Sequence, residues 1–158
     1  MPKIWPKIYN QPINMNQIRP WLYIGKYRDT THLPLLQFHR IGAMLLFAEL
    51  VEHPGIVSLF IDQEDGQPTP YRHFHKGLNF IRSNKEEGRN VLVACGAGIS
   101  RSATFTIAAL SSIEQISLKE AYMEVKRLHP DTMPHPVVWK SMCKYFKDDT
   151  GFMPYMMR

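Results

Sequence analysis

Cys95 and Arg101 lie in one short stretch, VLVACGAGISRSA, with five residues between them. A thiolate is a strong nucleophile, and a guanidinium can bind two oxygens of one phosphate group at the same time. A cysteine at the end of an apolar strand is usually structural, so that interpretation stays open on the spacing alone. The alternative is covalent catalysis, with the thiolate attacking a phosphorus atom that the arginine holds.

The residues on either side of this stretch predict a strand before it and a helix after it. The run NVLVA predicts a buried strand, and SATFTIAALSSI predicts a helix inside the core. A loop at this position has free backbone N–H groups and the positive end of the helix dipole, and glycines let the N–H groups turn inward. The predicted phosphate-binding residues beside Arg101 are Gly96, Ala97, Gly98, Ile99 and Ser100.

The remaining elements predict an α/β fold with a central, mostly parallel, twisted sheet of four to five strands flanked by helices. Short apolar runs predict strands at WLYIG, AMLLFAEL and GIVSLFI, and helical spacing predicts helices near residues 70–87, 117–130 and 136–146. Ser117 and Glu120 predict a capping box. We expect an irregular lead-in over residues 1–18, one folded domain over 19–147 and a tail over 148–158.

The composition excludes several classes of protein. The chain has 158 residues, a net charge of +5 and two cysteines, too few for a disulfide framework or a cysteine-based metal site. It has no apolar run of about 18 residues, no nucleic-acid motif and no secretory signal core at its N-terminus. We therefore expect a cytoplasmic protein without a metal or other cofactor, which does not bind nucleic acid and favours the monomer.

The cysteine loop resembles the signature loop of cysteine-dependent protein phosphatases, and AGISRSAT is similar to the small, single-domain members of the dual-specificity branch. IRPWLYIG resembles that family's first strand and AYMEVKRLHPDTMPHPVVWKSMCKYF its last two helices. The resemblance implies the phosphatase fold, with the active-site loop between a central strand and a helix. It also implies a cysteinyl-phosphate intermediate, in which Cys95 attacks, Arg101 holds the phosphoryl oxygens and Ser102 stabilises the leaving thiolate.

The resemblance further implies a general acid on a loop some 30 residues before the cysteine, because the leaving oxygen must be protonated. That loop is DQEDGQPTP, and it contains Asp62, Glu64 and Asp65. Asp65 is the predicted acid, since it precedes a glycine that could act as a hinge. Asp62 is the alternative.

Two positions depart from the family pattern. Ala94 stands where most members have a histidine, so we expect the rising limb of the pH–rate profile to lie at higher pH than in the relatives. His135 stands where many members have an asparagine that supports the loop, and it is either a substitute for that asparagine or a surface histidine.

The uncharged residues inside the loop favour a phosphorylated protein as substrate over inositol lipids, and the sequence leaves the choice between phosphotyrosine and phosphoserine or phosphothreonine open. Three alternatives to a protein phosphatase stay open. They are a phosphate-binding module without catalysis, a phosphatase for a non-protein monophosphate, and sulfur transfer or arsenate reduction. The last would need a sulfur donor or a resolving cysteine. Only Cys143 is available as the latter, and its place on an apolar helix side predicts packing.

Overall fold

The structure is a computed structural model that describes residues 15–156. Residues 1–14 of the predicted lead-in and the last two residues of the predicted tail lie outside this range. A five-stranded sheet forms the centre, in the spatial order β1-β2-β5-β3-β4. Its strands are β1 (Asn16–Arg19), β2 (Leu22–Lys26), β3 (Ile41–Leu46), β4 (Val57–Phe60) and β5 (Asn90–Cys95).

Only β1 is antiparallel to its neighbour, and the other four strands run parallel. The central strand β5 pairs with β2 on one side and with β3 on the other. Val93 and Cys95 face one apolar cluster, while Leu92 and Ala94 face the other, because successive side chains of a strand point to opposite faces. A strand buried on both faces is apolar throughout, and the predicted mostly parallel α/β sheet is confirmed.

Six helices surround the sheet within residues 15–156. They are α1 (Tyr27–Thr30), α2 (Leu33–Phe38), α3 (Tyr71–Glu86), α4 (Arg101–Glu114), α5 (Leu118–Leu128) and α6 (Pro136–Phe146). Helices α3 to α6 contribute to the larger apolar cluster and α2 to the smaller one on the opposite face. None of these helices is both long enough and apolar enough to cross a membrane.

The capping box predicted at the start of α5 is confirmed. Ser117 Oγ accepts a hydrogen bond from the Glu120 N–H at 3.1 Å, and Glu120 Oε2 accepts one from the Ser117 N–H at 3.0 Å. These bonds pair N–H groups that the first turn of a helix cannot pair internally. The box therefore fixes where α5 begins, directly after the buried helix α4.

Three short elements differ from the sequence expectation. Strand β1 lies partly inside the predicted lead-in, so residues 16–18 are not irregular. Its sequence, NQIR, has no alternation of apolar residues, and among residues 15–156 it pairs with β2 alone. Helix α1 is a single turn after β2, and a 3-10 turn, Pro154–Met156, lies in the predicted tail. Segments this short carry too few residues for a periodic pattern.

Candidate active site

The predicted phosphate loop, residues 96–100, joins the end of β5 to the start of α4. It lies at the carboxyl ends of three parallel strands, which is the edge where α/β sheets bind ligands. A pocket of about 320 Å³ opens there, and Cys95, Arg101 and Asp65 all line it. Three of the four predicted catalytic residues are thus brought together at one pocket, and Ser102 lies directly behind Cys95.

The backbone of the phosphate loop is held from behind by residues that face away from the pocket. His129 Nε2 donates to the Gly98 carbonyl at 2.6 Å, and the Met133 N–H donates to the Ile99 carbonyl at 2.9 Å. Gly98 has a φ of 70°, and a Cβ there would lie 2.9 Å from the Gly25 carbonyl oxygen. Only glycine fits this close approach without strain.

The N–H groups of the same loop differ from its carbonyls in their hydrogen bonding. No N–H group from Gly96 to Ser100 donates to an acceptor within residues 15–156. A run of backbone donors at a helix N-terminus is a binding site for an anion. Ala97, Ile99 and Ser100 line the pocket, whereas Gly96 lies beside the Arg101 guanidinium and Gly98 packs against β2.

Arg101 is fixed by carbonyl groups on two neighbouring segments. Its Nη1 donates to the Phe47 carbonyl at 3.0 Å and to the Gln63 carbonyl at 2.7 Å. Its Nε is buried and has no hydrogen-bond partner among the described residues. A buried donor without a partner costs about 1–3 kcal/mol. A phosphoryl oxygen in the pocket would supply the missing acceptor.

Cys95 and Ser102 form a buried pair at the bottom of the site. The Cys95 Sγ lies 3.2 Å from the Ser102 Oγ, and both residues are almost completely excluded from solvent. Ser102 is the second residue of α4, so its position follows from where that helix begins. Because a thiolate can only accept, the hydroxyl must donate whenever Cys95 is ionised.

The segment of residues 62–70, here called the acid loop, brings Asp65 to the pocket. Ser100 Oγ donates to Asp65 Oδ1 at 2.6 Å and accepts from the His135 N–H at 2.8 Å. Ser100 is the N-cap residue of α4, but its side chain makes no capping bond to that helix. The hydroxyl that would usually cap the helix instead joins the phosphate loop to the acid loop.

The rest of the acid loop is arranged around a turn and a buried glutamine. Gly66 has a φ of 82°, in a turn where the Gln67 N–H donates to the Glu64 carbonyl. The buried Gln63 side chain donates to the Glu64 carbonyl at 3.0 Å, and its Oε1 lies 2.8 Å from His73 Nδ1. Asp62, the alternative acid, is exposed and does not line the pocket.

A family model described as "Dual specificity phosphatase, catalytic domain" matches residues 22–148. The chain belongs to this family. Dual specificity protein phosphatase 16 of Homo sapiens is 35% identical over 130 residues, which are 78% of this chain and 19% of that protein. Dual specificity protein phosphatase 5 of Rattus norvegicus is 32% identical over 123 residues, which are 75% of this chain and 32% of that protein. The chain thus spans about a third or less of the length of these two relatives.

The fold of this dual-specificity phosphatase domain is similar to that of solved relatives. A mouse putative dual specificity phosphatase, complexed with zinc tungstate, superposes with a TM-score of 0.81 at 25% identity. The match covers 87% of this chain and 89% of that one. The phosphatase fold and the family predicted from the cysteine loop are therefore confirmed.

Two histidines support the site of the phosphatase domain. His135 caps α6, since its Nδ1 accepts from the Val137 N–H at 3.2 Å, and it lines the pocket beside Gly66. Its backbone N–H also donates to Ser100 Oγ, a bond that any residue other than proline could make here, so the substitution of its side chain for the family's asparagine stays a prediction. The role of His129 was missed, because no local signal marks a buried histidine that contacts a loop 31 residues earlier.

The second cysteine lies apart from the pocket. Cys143 is half-buried on α6, where burial raises the pKa of its thiol to about 11, and it does not line the pocket. A protonated thiol outside the site does not fit the role of a resolving cysteine. In the part of the chain from Met15 to Met156, no three His, Cys, Asp or Glu side chains come together as a possible metal site.

Proposed function

We propose that this domain hydrolyses phosphate monoesters on proteins through a cysteinyl-phosphate intermediate. The observation that carries the proposal is one pocket that combines the Cys95 thiol, the Arg101 guanidinium, unpaired loop N–H groups and the Asp65 carboxyl. These groups match the needs of phosphoryl transfer, in which a nucleophile, donors for the phosphoryl oxygens and a proton for the leaving group act together. Membership in the dual-specificity phosphatase family supports the same reaction.

In the first step the Cys95 thiolate attacks phosphorus, forming an S–P bond while the bond from phosphorus to the substrate oxygen breaks. The N–H groups of the phosphate loop and Arg101 hold the remaining phosphoryl oxygens, where negative charge gathers. Asp65 gives its proton to the leaving oxygen, so that a neutral hydroxyl departs rather than an alkoxide or phenoxide.

In the second step a water molecule attacks the cysteinyl phosphate. The Asp65 carboxylate takes a proton from that water, and the S–P bond breaks to release inorganic phosphate and the Cys95 thiolate. Ser102 donates to the departing sulfur, a role that its Oγ can fill from 3.2 Å. Both catalytic groups are then back in their starting protonation states.

Asp65 is assigned as the acid rather than Asp62 because of where the two carboxyl groups lie. Both residues are exposed, but Asp65 lines the pocket and accepts a hydrogen bond from Ser100, whereas Asp62 does not line the pocket. The Ser100 hydroxyl occupies Oδ1, which leaves Oδ2 to carry the transferable proton.

A phosphorylated protein is the proposed substrate. The residues inside the phosphate loop carry no charge. Arg101, which directly follows the loop, therefore supplies positive charge for a single phosphate group. The relatives are named protein phosphatases, and the mouse relative was crystallised with tungstate, a tetrahedral oxyanion like phosphate.

The test is hydrolysis of p-nitrophenyl phosphate and of a phosphotyrosine peptide, over a range of pH in the presence of a chelator. We expect turnover by the wild type, no turnover by Cys95→Ser, and full activity in the matched control Cys143→Ser. Rapid quenching in a denaturant without acid, followed by mass spectrometry, should find one phosphoryl group on the peptide that contains Cys95. The same pH–rate profile tests the expectation for Ala94. Its rising limb should lie at higher pH than that of a relative with histidine at this position.

Two outcomes would contradict the proposal. Activity retained by Cys95→Ser would exclude this cysteine as the nucleophile. A folded wild type that binds phosphate without turning over either substrate would instead identify a phosphate-binding module.

A further inference from the structure

The chain after α6 folds back onto the domain. The Trp139 indole N–H donates to the Phe152 carbonyl at 3.0 Å, and the Phe152 ring packs against the rings of Trp139 and Tyr122 at centroid distances of 5.8 and 5.9 Å. Pro154 is buried in the turn that follows. These contacts anchor residues 152–156, here called the C-terminal segment, to helices α5 and α6.

The C-terminal segment brings Tyr155 to the active-site pocket, which it lines together with Cys95 and Arg101. The Tyr155 hydroxyl is buried and has no hydrogen-bond partner in the range 15–156, and burial raises the pKa of this phenol to about 12. Tyr155 therefore stays neutral at physiological pH. Its buried hydroxyl therefore adds no accessible polar surface to the pocket.

The lining of the pocket divides by chemistry. The groups that act on phosphate are Cys95, Arg101, Ser100 and Asp65, whereas most of the other lining residues present carbon atoms. These apolar residues are Ile99, Met133, Pro134, Pro136 and Tyr155. An apolar wall stabilises an aryl group by burial and by ring contacts, whereas the short alkyl stem of phosphoserine or phosphothreonine offers little surface for either.

Tyr155 also lies outside the part of the chain that matches the family. The family match ends at residue 148, and the C-terminal segment follows it. The catalytic residues belong to the shared domain, while this part of the pocket wall comes from a segment beyond it. Such a wall can set which substrates this chain prefers without altering the reaction itself.

We propose that Tyr155 is a specificity-determining residue that contacts the aromatic ring of phosphotyrosine and favours it over phosphoserine and phosphothreonine. This inference rests on the proposed function, since it deepens the description of the same site. The contact is made with the bound ring before and during the reaction, so it acts on substrate binding more than on the chemical step.

The test compares two peptides of one sequence, carrying either phosphotyrosine or phosphothreonine, in the wild type and in Tyr155→Ala. We expect the kcat/KM ratio of the two peptides to fall roughly 3- to 10-fold, mainly through a higher KM for the phosphotyrosine peptide. Tyr155→Phe keeps the ring and should restore the wild-type ratio. A chain that ends after Met153 should behave like Tyr155→Ala.

Phe38→Ala is the matched control for loss of an aromatic side chain. Phe38 is 75% exposed and lies just before β3, at the opposite end of that strand from the pocket. It should leave the peptide ratio unchanged. Thermal unfolding of each variant shows whether it is folded, and a structural defect would lower kcat for both peptides rather than change their ratio.

Binding separates failure of this inference from failure of the proposed function. In the Cys95→Ser background, calorimetry with phenylphosphonate and methylphosphonate needs no turnover. If Tyr155→Ala in the Cys95→Ser background weakens binding of phenylphosphonate but not of methylphosphonate, Tyr155 contacts the aromatic ring. This result would support the inference even if the wild type proves inactive. The inference would be overturned if Tyr155→Ala changed the affinity for both phosphonates equally or for neither. It would also be overturned if the truncated chain were more active on both peptides.

Discussion

The phosphate loop and the acid loop meet in one pocket but are held there in different ways. The phosphate loop is fixed by its own backbone, through bonds to His129 and Met133 and a close approach to Gly25. The acid loop is largely exposed, and it is joined to the phosphate loop through Ser100 and Arg101.

This difference separates two parts of the proposed reaction. Every phosphate ester needs the phosphate loop, so damage there lowers activity on all substrates. Protonation of the leaving group matters most when that group is a poor one, so damage to the acid loop depends on the substrate. Substitutions in the two loops should therefore differ in pattern as well as in size.

The largest effect expected from the acid loop is that of Asp65→Asn, which removes the proposed proton donor. We expect kcat on a phosphotyrosine peptide to fall by roughly 10²- to 10⁴-fold, with a much smaller loss on p-nitrophenyl phosphate, whose leaving group is already good. Steady-state kinetics on both substrates measures the difference.

Asp62→Asn is the matched control for that experiment, because it removes a carboxylate from the same loop. It should retain activity on both substrates. If Asp62→Asn loses more activity on the phosphotyrosine peptide than on p-nitrophenyl phosphate, and Asp65→Asn shows no such difference, the acid is Asp62.

Gly98→Ala tests the phosphate loop. A side chain at a φ of 70° costs about 1–2 kcal/mol of folding free energy, and its Cβ would also press on the Gly25 carbonyl. We expect a lower midpoint in urea unfolding and a similar fractional loss of activity on good and poor leaving groups. A loss confined to poor leaving groups would contradict the comparison of the two loops.

Ser100→Ala removes the hydroxyl that joins the two loops. A net hydrogen bond contributes about 0.5–1.5 kcal/mol, so activity on the phosphotyrosine peptide should fall by up to about tenfold. The loss should be smaller on p-nitrophenyl phosphate, and Ser100→Thr should recover part of it. Combining Ser100→Ala with Asp65→Asn should add little, since both act through one carboxyl group.

Gly66→Ala should have the smallest effect of the series. The strain at a φ of 82° is again about 1–2 kcal/mol, but this loop is exposed and can move to relieve it. We expect at most about a fivefold loss on the poor leaving group and little change in unfolding. A large fall in the free energy of unfolding would show that the backbone of the acid loop is as rigid as that of the phosphate loop.

The parts of the site that follow from local sequence were predictable. Each of three patterns involves only a few neighbouring residues. They are the spacing of Cys95 and Arg101, the apolar run of β5 and the capping box at the start of α5. The family resemblance then added Asp65 and Ser102, which the structure brings to Cys95.

The parts that depend on distant contacts were not predictable. The bond from Ser100 to Asp65 joins residues 35 positions apart, and that from His129 to Gly98 joins residues 31 apart. Strand β1 is polar and short, so only its pairing with β2 defines it. Tyr155 lies in a segment with no periodic pattern, and the packing of Phe152 on α5 and α6 decides where it goes.

The position of β5 in the middle of the sheet has a consequence for hydrogen exchange. Its amides lie between two parallel neighbours, and its interior side chains are buried on both faces. Amides of this kind exchange only when most of the domain opens, whereas exposed loops exchange through small local openings. We expect deuterium to enter the acid loop long before it enters β5. Cys95 should then keep its position during local openings that displace Asp65.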